Sequence, residues 1–369
     1  MAVGIADRVA GGVIGSAVGD AVGAPCECCD YRKIRNFVGD YQGPDQLIGR
    51  PGPQPWWKDD MAWRVTDDTV LADLLLDCIM RHKGQVSAYE FAREWELFDK
   101  PAPTPDGSTV NRLSLVHFIE QIPFLRNKLA IYKRDLGRGE CNATNAIMYI
   151  APVGLLCAGS PLEAEQMAVD MTSVNQHGRP RDVAGGYCAA LAECFIPGKS
   201  VDDIVGVAID HTRDFLCLKE ISAMVNLARK CSSPDEYIER YYTEIIGPVI
   251  PYIDLQHEMF NPDMCNSWRS SEILGNALAF LLITKGNDAR AMILGASKIG
   301  RDADTIARVA AGLIGAYRGL SSLPQEWVQA VLKKNAWLNL ESKTQQLVDI
   351  VQSKLAERAR LCAAISVVQ

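Results

Sequence analysis

The sequence predicts an all-α protein. Three observations carry that expectation: apolar residues recur at helical spacing along most of the chain, alternating strand patterns are absent, and two segments repeat small residues at every fourth position. With 369 residues, 48% hydrophobic and 22% charged, the chain can bury a large core, as one big domain or two ordinary ones.

In order, helices are expected over residues 5–19, 69–82, 86–98, 109–120, 142–158, 161–173, 181–195, 200–212, 219–229, 234–244, 269–284, 287–298, 305–318, 324–333 and 341–361. In the first, Gly11, Gly15, Gly19 and Gly23 form a bare ridge if the helix runs through them. Each glycine costs roughly 1 kcal/mol against alanine, so a close neighbour must compensate. Ala307, Ala311, Gly315 and Gly319 repeat the device near the other end of the chain. The two ridges are therefore expected to pack on each other at the centre of the molecule and to draw residues 20–27 toward Asp302 and Asp304. The helix after residue 69 has an apolar face of Val70, Leu71, Leu74, Leu75, Cys78 and Ile79, and later helices carry start signals such as Ser200, Ser233 and Asn287. Residues 41–63, 99–108 and 246–268 lack periodicity and read as functional rims or lids.

A net charge of -7 argues against a basic face for nucleic acid or anionic membrane. The longest apolar runs, near Ile147 to Ala158 and Leu274 to Ile283, are too short for a membrane span. The apolar N-terminus has Asp7 and Asp20 inside it and no basic stretch before it, so it reads as a structural helix rather than a signal peptide. Twelve cysteines are spread through apolar stretches and read as reduced core residues of a cytoplasmic protein. Cys26, Cys28 and Cys29 lack a second Cys/His pair at zinc-finger spacing.

The chemistry is concentrated in Thr66-Asp67-Asp68-Thr69 and Asp302-Ala303-Asp304-Thr305, each opening a helix. Capping accounts for one such motif, since Thr and Asp satisfy orphan amides and the macrodipole. Two of them brought together would concentrate carboxylates whose mutual repulsion a hard divalent cation, or a pair of them, neutralises.

Gly19-Asp20-Ala21-Val22-Gly23-Ala24-Pro25-Cys26-Glu27, then Thr66 to Thr69, then Gly300-Arg301-Asp302-Ala303-Asp304-Thr305-Ile306-Ala307 with the Gly312 to Gly319 tail resemble, in that order, the ADP-ribosylglycohydrolase family, which includes the dinitrogenase reductase activating glycohydrolases. The resemblance runs from about residue 8 to residue 327. It implies one compact helical domain over 1–369, with 328–369 as a helical extension packed on it, and a central cleft holding two Mg2+ or Mn2+ ions. By position it implies Thr66, Asp67 and Asp68 as one ligand group and Asp302, Asp304 and Thr305 as the other. Glu27 matches an acidic residue that acts near the metals in part of the family; Glu27, Asp67 and Asp304 are the candidate proton acceptors.

Weaker matches suggest substrate contacts. Gly107-Ser108-Thr109 precedes an expected helix and offers amides to a phosphate, although capping explains it as well. His177, before Gly178 and Pro180, resembles a turn histidine near the ribose or phosphate. Ala143 to Pro152 resembles the family's Gly-Asn-Gly-Ser/Ala-x-Met-Arg-x-x-Pro segment, with Asn145 and Tyr149 as contact candidates. Here Ala143, Thr144 and Asn145 replace the glycine turn, and Tyr149 stands where arginine is usual. Trp56, Trp57 and Trp63 are candidates to stack on a base, although core packing is the commoner fate of Trp. Asp254, His257, Glu258 and Asp263 mark a second candidate rim.

The expected activity is Mg2+-dependent release of ADP-ribose from a modified protein side chain. Hydrolysis of a small nucleoside, nucleotide or other N-glycoside is an alternative, as is a non-catalytic ADP-ribose-binding or structural role.

Overall fold

The computed structural model describes residues 3–50, 52–54, 57–97, 102–103, 107–110, 143–251, 265 and 268–366. Along them run α1 (Ile5–Gly23), α2 (Tyr31–Val38), α3 (Asp67–Arg81), α4 (Ala88–Leu97), α5 (Ala151–Leu156), α6 (Pro161–Met171), α7 (Arg179–Glu193), α8 (Val201–Asp210), α9 (Phe215–Ala228), α10 (Pro234–Arg240), α11 (Ser270–Ile283), α12 (Ala289–Lys298), α13 (Ala303–Arg318), α14 (Gln325–Lys334) and α15 (Leu340–Ser366). Among the described residues the only sheet is a two-residue antiparallel pair, β1 (Ala102–Pro103) with β2 (Thr109–Val110). The fold is all-α, as the spacing predicts.

Its axis is the pairing of α1 with α13. α1 runs through Gly23, so all four glycines lie on one helix, and both helices are buried along most of their length. A Cβ on Gly11 would overlap the Gly315 carbonyl, one on Gly19 the Ala307 carbonyl, and one on Gly23 the Ala303 carbonyl; at Gly15 it would stand 2.8 Å from the Ala311 oxygen. The missing side chains let the two backbones touch, which compensates the weak helix propensity of glycine. α11 and α12 pack on α13, and α15 covers α1 and α3. The segment Ile5–Cys26 is long and apolar enough to cross a membrane by composition, contrary to expectation, but 89% of its most apolar window is buried inside the protein.

Departures from the expected elements have local causes. α2 was not expected: Asp30 caps it by accepting from the Arg32 amide at 2.8 Å, and only Tyr31 and Ile34 are buried, too short a stripe to read as periodic. Thr109 and Val110 form a strand instead of starting a helix, and residues 111–120 lie outside the described ones. Residues 144–149 are bends and turns, and α5 starts only at Ala151, with Pro152 in the first turn where its missing N–H costs nothing. α9 begins earlier than expected because Asp214 accepts from the Leu216 and Cys217 amides, each at 3.0 Å. α10 gives way after Arg240 to a π turn, Tyr241–Ile245.

Candidate metal centre

At the start of α3, Thr66 is the N-cap, its hydroxyl 3.4 Å from the Asp68 amide. Asp20, fully buried on α1, accepts from the Thr66 amide at 3.1 Å, the Thr69 amide at 3.2 Å and the Thr69 hydroxyl. Arg308 of α13 stands 4.0 Å from Asp20 and donates to the Thr69 hydroxyl at 2.7 Å and to the Met148 carbonyl. Asp20 thus satisfies helix-start amides that would otherwise engage the motif itself, and pins α3 to the central pair.

At the start of α13 the backbone is held in the left-handed region at Gly300 (φ +73) and Arg301 (φ 62). The Arg301 amide donates to the Cys29 carbonyl at 2.8 Å and the Cys28 amide to the Arg301 carbonyl, and a Cβ at Gly300 would collide with the Cys29 oxygen. Glycine is required there for the close approach. The Arg301 side chain, fully buried, donates to Glu272 through Nε at 2.6 Å and Nη2 at 3.0 Å, and to the Pro251 carbonyl at 3.2 Å. Tyr241 donates to the same carboxylate at 2.6 Å. This anchor fixes the loop before Asp302 and stitches it to residues 28–29, which carries Glu27 to the second motif.

Glu27 meets the second motif, and the charge of Asp304 reaches Asp67 and Asp68 of the first. One carboxylate oxygen from each of Glu27, Asp302 and Asp304 lies within 4.8 Å of the others. Burial first, then the charge of Asp304 and of Asp20, pushes Asp67 up to about 7. Asp68 is raised well above the carboxylate range by burial, then by Asp304, Asp20 and Asp67, and Glu27 by burial, then by Asp304, Asp302 and Asp67. Asp302 is raised by burial and by Asp304. Asp304 is raised by burial, with Asp302, nearby amides and the Thr66 hydroxyl countering. Asp20 rises to about 6 through burial, against the pull of Arg308. Carboxylates from α1's end, α3 and α13 therefore share one electrostatic field.

The donor set fits a hard divalent cation. Thr305 donates to Asp302 Oδ1 at 2.9 Å, but Asp68 Oδ1, Asp302 Oδ2 and Asp304 Oδ1 are buried without a hydrogen-bond partner among the described residues. Unsatisfied buried anionic oxygens are costly, and carboxylate and hydroxyl oxygens are the ligands Mg2+, Mn2+ and Ca2+ prefer. Thr66, Asp67, Asp68, Asp302, Asp304 and Thr305, with Glu27 beside them, could hold such an ion.

The remaining candidates are dispersed. Ser108 and Thr109 are exposed at β2 rather than at a helix start. Tyr149 is a correction: its side chain is fully buried, its ring packs on Phe91 with centroids 5.6 Å apart, and its hydroxyl donates to Asn175 at 2.6 Å, so it belongs to the core and is not offered to a ligand. Asn145 is half-buried, its carbonyl accepting from Asn175 at 3.0 Å. His177 is half-buried, with Nδ1 lacking a partner among the described residues. Trp63 donates to Asp45 at 2.6 Å and packs on Trp327, and Trp57 is buried. Trp56, Asp254, His257, Glu258 and Asp263 lie outside the described residues. The sequence assigned no role to Arg301, Glu272 or Arg308, and marked Asp20 as a charge in an apolar run and as part of the Gly19 to Glu27 motif without giving it one; the signal available was a charged residue inside each glycine-ridged segment.

Comparison with known proteins agrees with the fold. The ADP-ribosylglycohydrolase family model matches residues 1–362, and the chain belongs to that family of glycosyl-bond hydrolases. A solved structure titled "ADP-ribosylglycohydrolase-related protein complex" is similar in fold, with a TM-score of 0.63 over 94% of this chain and 99% of that one, at 17% identity. No curated protein matches the chain.

Proposed function

We propose that this member of the ADP-ribosylglycohydrolase family is an Mg2+- or Mn2+-dependent hydrolase that removes ADP-ribose from modified protein side chains. The observation that carries the reading is the meeting of Glu27, Asp302 and Asp304, with orphaned buried oxygens on Asp68, Asp302 and Asp304. Cations bound there would offset the carboxylate charge and polarise oxygens at the sugar.

Cleavage at an anomeric carbon passes through an oxocarbenium-like state and needs a positioned water on the sugar. Glu27, Asp67 and Asp304 are the groups able to orient that water and accept its proton. Glu27 is half-buried and hydrogen-bonded to the Cys28 thiol at 3.5 Å, while Asp304 is buried deeper. Burial of the cleft strengthens each of these electrostatic contacts relative to water.

A second reading, a smaller N-glycoside substrate without a diphosphate, is favoured by Tyr149. It stands where the family segment that Ala143 to Pro152 resembles has an arginine, and its side chain is taken up by the core. The test incubates purified protein with Mg2+ and, separately, an ADP-ribosyl-arginine protein, an ADP-ribosyl-serine peptide and free nucleosides. Chelator-sensitive release of ADP-ribose supports the first reading, release of base or ribose from nucleosides the second. Tight ADP-ribose binding with no turnover on any substrate would overturn both.

A further inference from the structure

The far end of α3 carries a second group of metal-binding side chains with different chemistry. Cys78 and His82 are one helical turn apart, so they share a face, and Glu94 on α4 completes the group. One donor atom from each lies within 4.8 Å of the other two.

The corner between the helices is held firmly. His82 is the C-cap of α3, and Gly84 (φ +79) returns its amide to the Ile79 carbonyl at 2.8 Å. Glu90 accepts from the Ser87 amide at 3.0 Å and from its hydroxyl, fixing the start of α4. Arg81 donates to Glu94 Oε1 at 2.8 Å and to Oε2 at 3.4 Å, which orients that buried carboxylate while leaving further lone pairs on its oxygens.

The thiol and the imidazole are not engaged elsewhere. No side-chain hydrogen bond engages the Cys78 sulfur or the His82 ring among the described residues. Cys78 and Glu94 are buried and His82 is half-buried, so the ring marks the side from which an ion enters.

We propose that Cys78, His82 and Glu94 bind one borderline-soft divalent cation of the Zn2+ class, with water as the remaining ligand. Thiolate, imidazole and carboxylate form a set that suits Zn2+ or Co2+ and not Mg2+. Tetrahedral ligands stand about 3.5 Å apart, so donors already within 4.8 Å of one another need to close by no more than about 1.3 Å. Binding displaces the thiol proton to solvent. The C-terminal end of the α3 dipole, at His82, adds to the attraction for a cation. Such an ion would clasp α3 to α4 at the end of α3 away from the carboxylate cleft.

The test uses Co2+ as a spectroscopic probe on full-length, chelator-stripped protein. The expected result is a thiolate-to-cobalt charge-transfer band that saturates at one equivalent, is lost in Cys78→Ser and is strongly weakened in His82→Gln. His82→Gln guards against a folding defect, because His82 is half-buried and far less packed than Cys78. Asp304→Asn should keep the band, since the cleft it disables supplies oxygen ligands; failure of hydrolysis therefore leaves this test untouched. No sulfur band in the wild-type protein, a band undiminished in His82→Gln, or a band lost in Asp304→Asn would each overturn the proposal.

Discussion

Arg301 and Asp302 are neighbours in one loop, both buried, and the protein treats their charges in opposite ways. Arg301 meets Glu272 through two nitrogens, with a carbonyl and the Tyr241 hydroxyl completing the network. Asp302 and Asp304 keep oxygens without a partner among the described residues, and the charges they interact with on Glu27, Asp67 and each other are of the same sign. Where charge serves structure, the fold neutralises it internally. Where it serves chemistry, neutralisation is left to something that binds.

The sharpest way to break this contrast is Arg301→Met. It strands Glu272 in the core without its cation, and should cost about 3–5 kcal/mol in denaturant unfolding. Next comes the seam that brings the two acidic helix starts together. Gly19→Ala places a methyl against the Ala307 carbonyl, and should cost about 1–3 kcal/mol with a parallel fall in divalent-cation affinity.

On the other side of the comparison the sign reverses. Asp304→Asn removes one of several like charges, so in chelator above pH 7 the variant should melt higher than wild type while losing hydrolysis and cation-induced stabilisation. A further effect is the pH dependence of the cation-free protein. The folded values of Asp67, about 7, and Asp20, about 6, lie above the ordinary 3.8, so the fold favours the protonated forms. Their contribution is full below about pH 4 and is lost as pH rises through 6 and 7. Melting in chelator should fall across that window, and Mg2+ should restore most at its upper end.

Much of the site was legible because its logic is local. Two Asp-rich helix starts and two ridges of small residues can be read from spacing alone, and together they foretell a central helix pair with acidic ends. What could not be read are the partnerships across the chain. Glu272 with Arg301, Asp20 with Thr66 and Thr69, and Arg308 with Met148 join residues distant in sequence, and no periodicity marks them. Tyr149 misled for a related reason. Its position in the motif suggested a ligand contact, while its fate was set by Phe91 and Asn175, which only the folded chain brings beside it. No helix starts at Thr109 because Thr109 and Val110 pair with Ala102 and Pro103, a partnership no start signal could reveal.

The most direct measurement is calorimetric titration of Mg2+ and of Mn2+ into chelator-stripped protein, with Asp67→Asn and Asp302→Asn beside wild type. Uptake by wild type that is sharply weakened by either substitution is the predicted result, because each residue comes from a different end of the chain yet serves one centre. Absence of uptake, or binding that survives the loss of either motif unchanged, would contradict it.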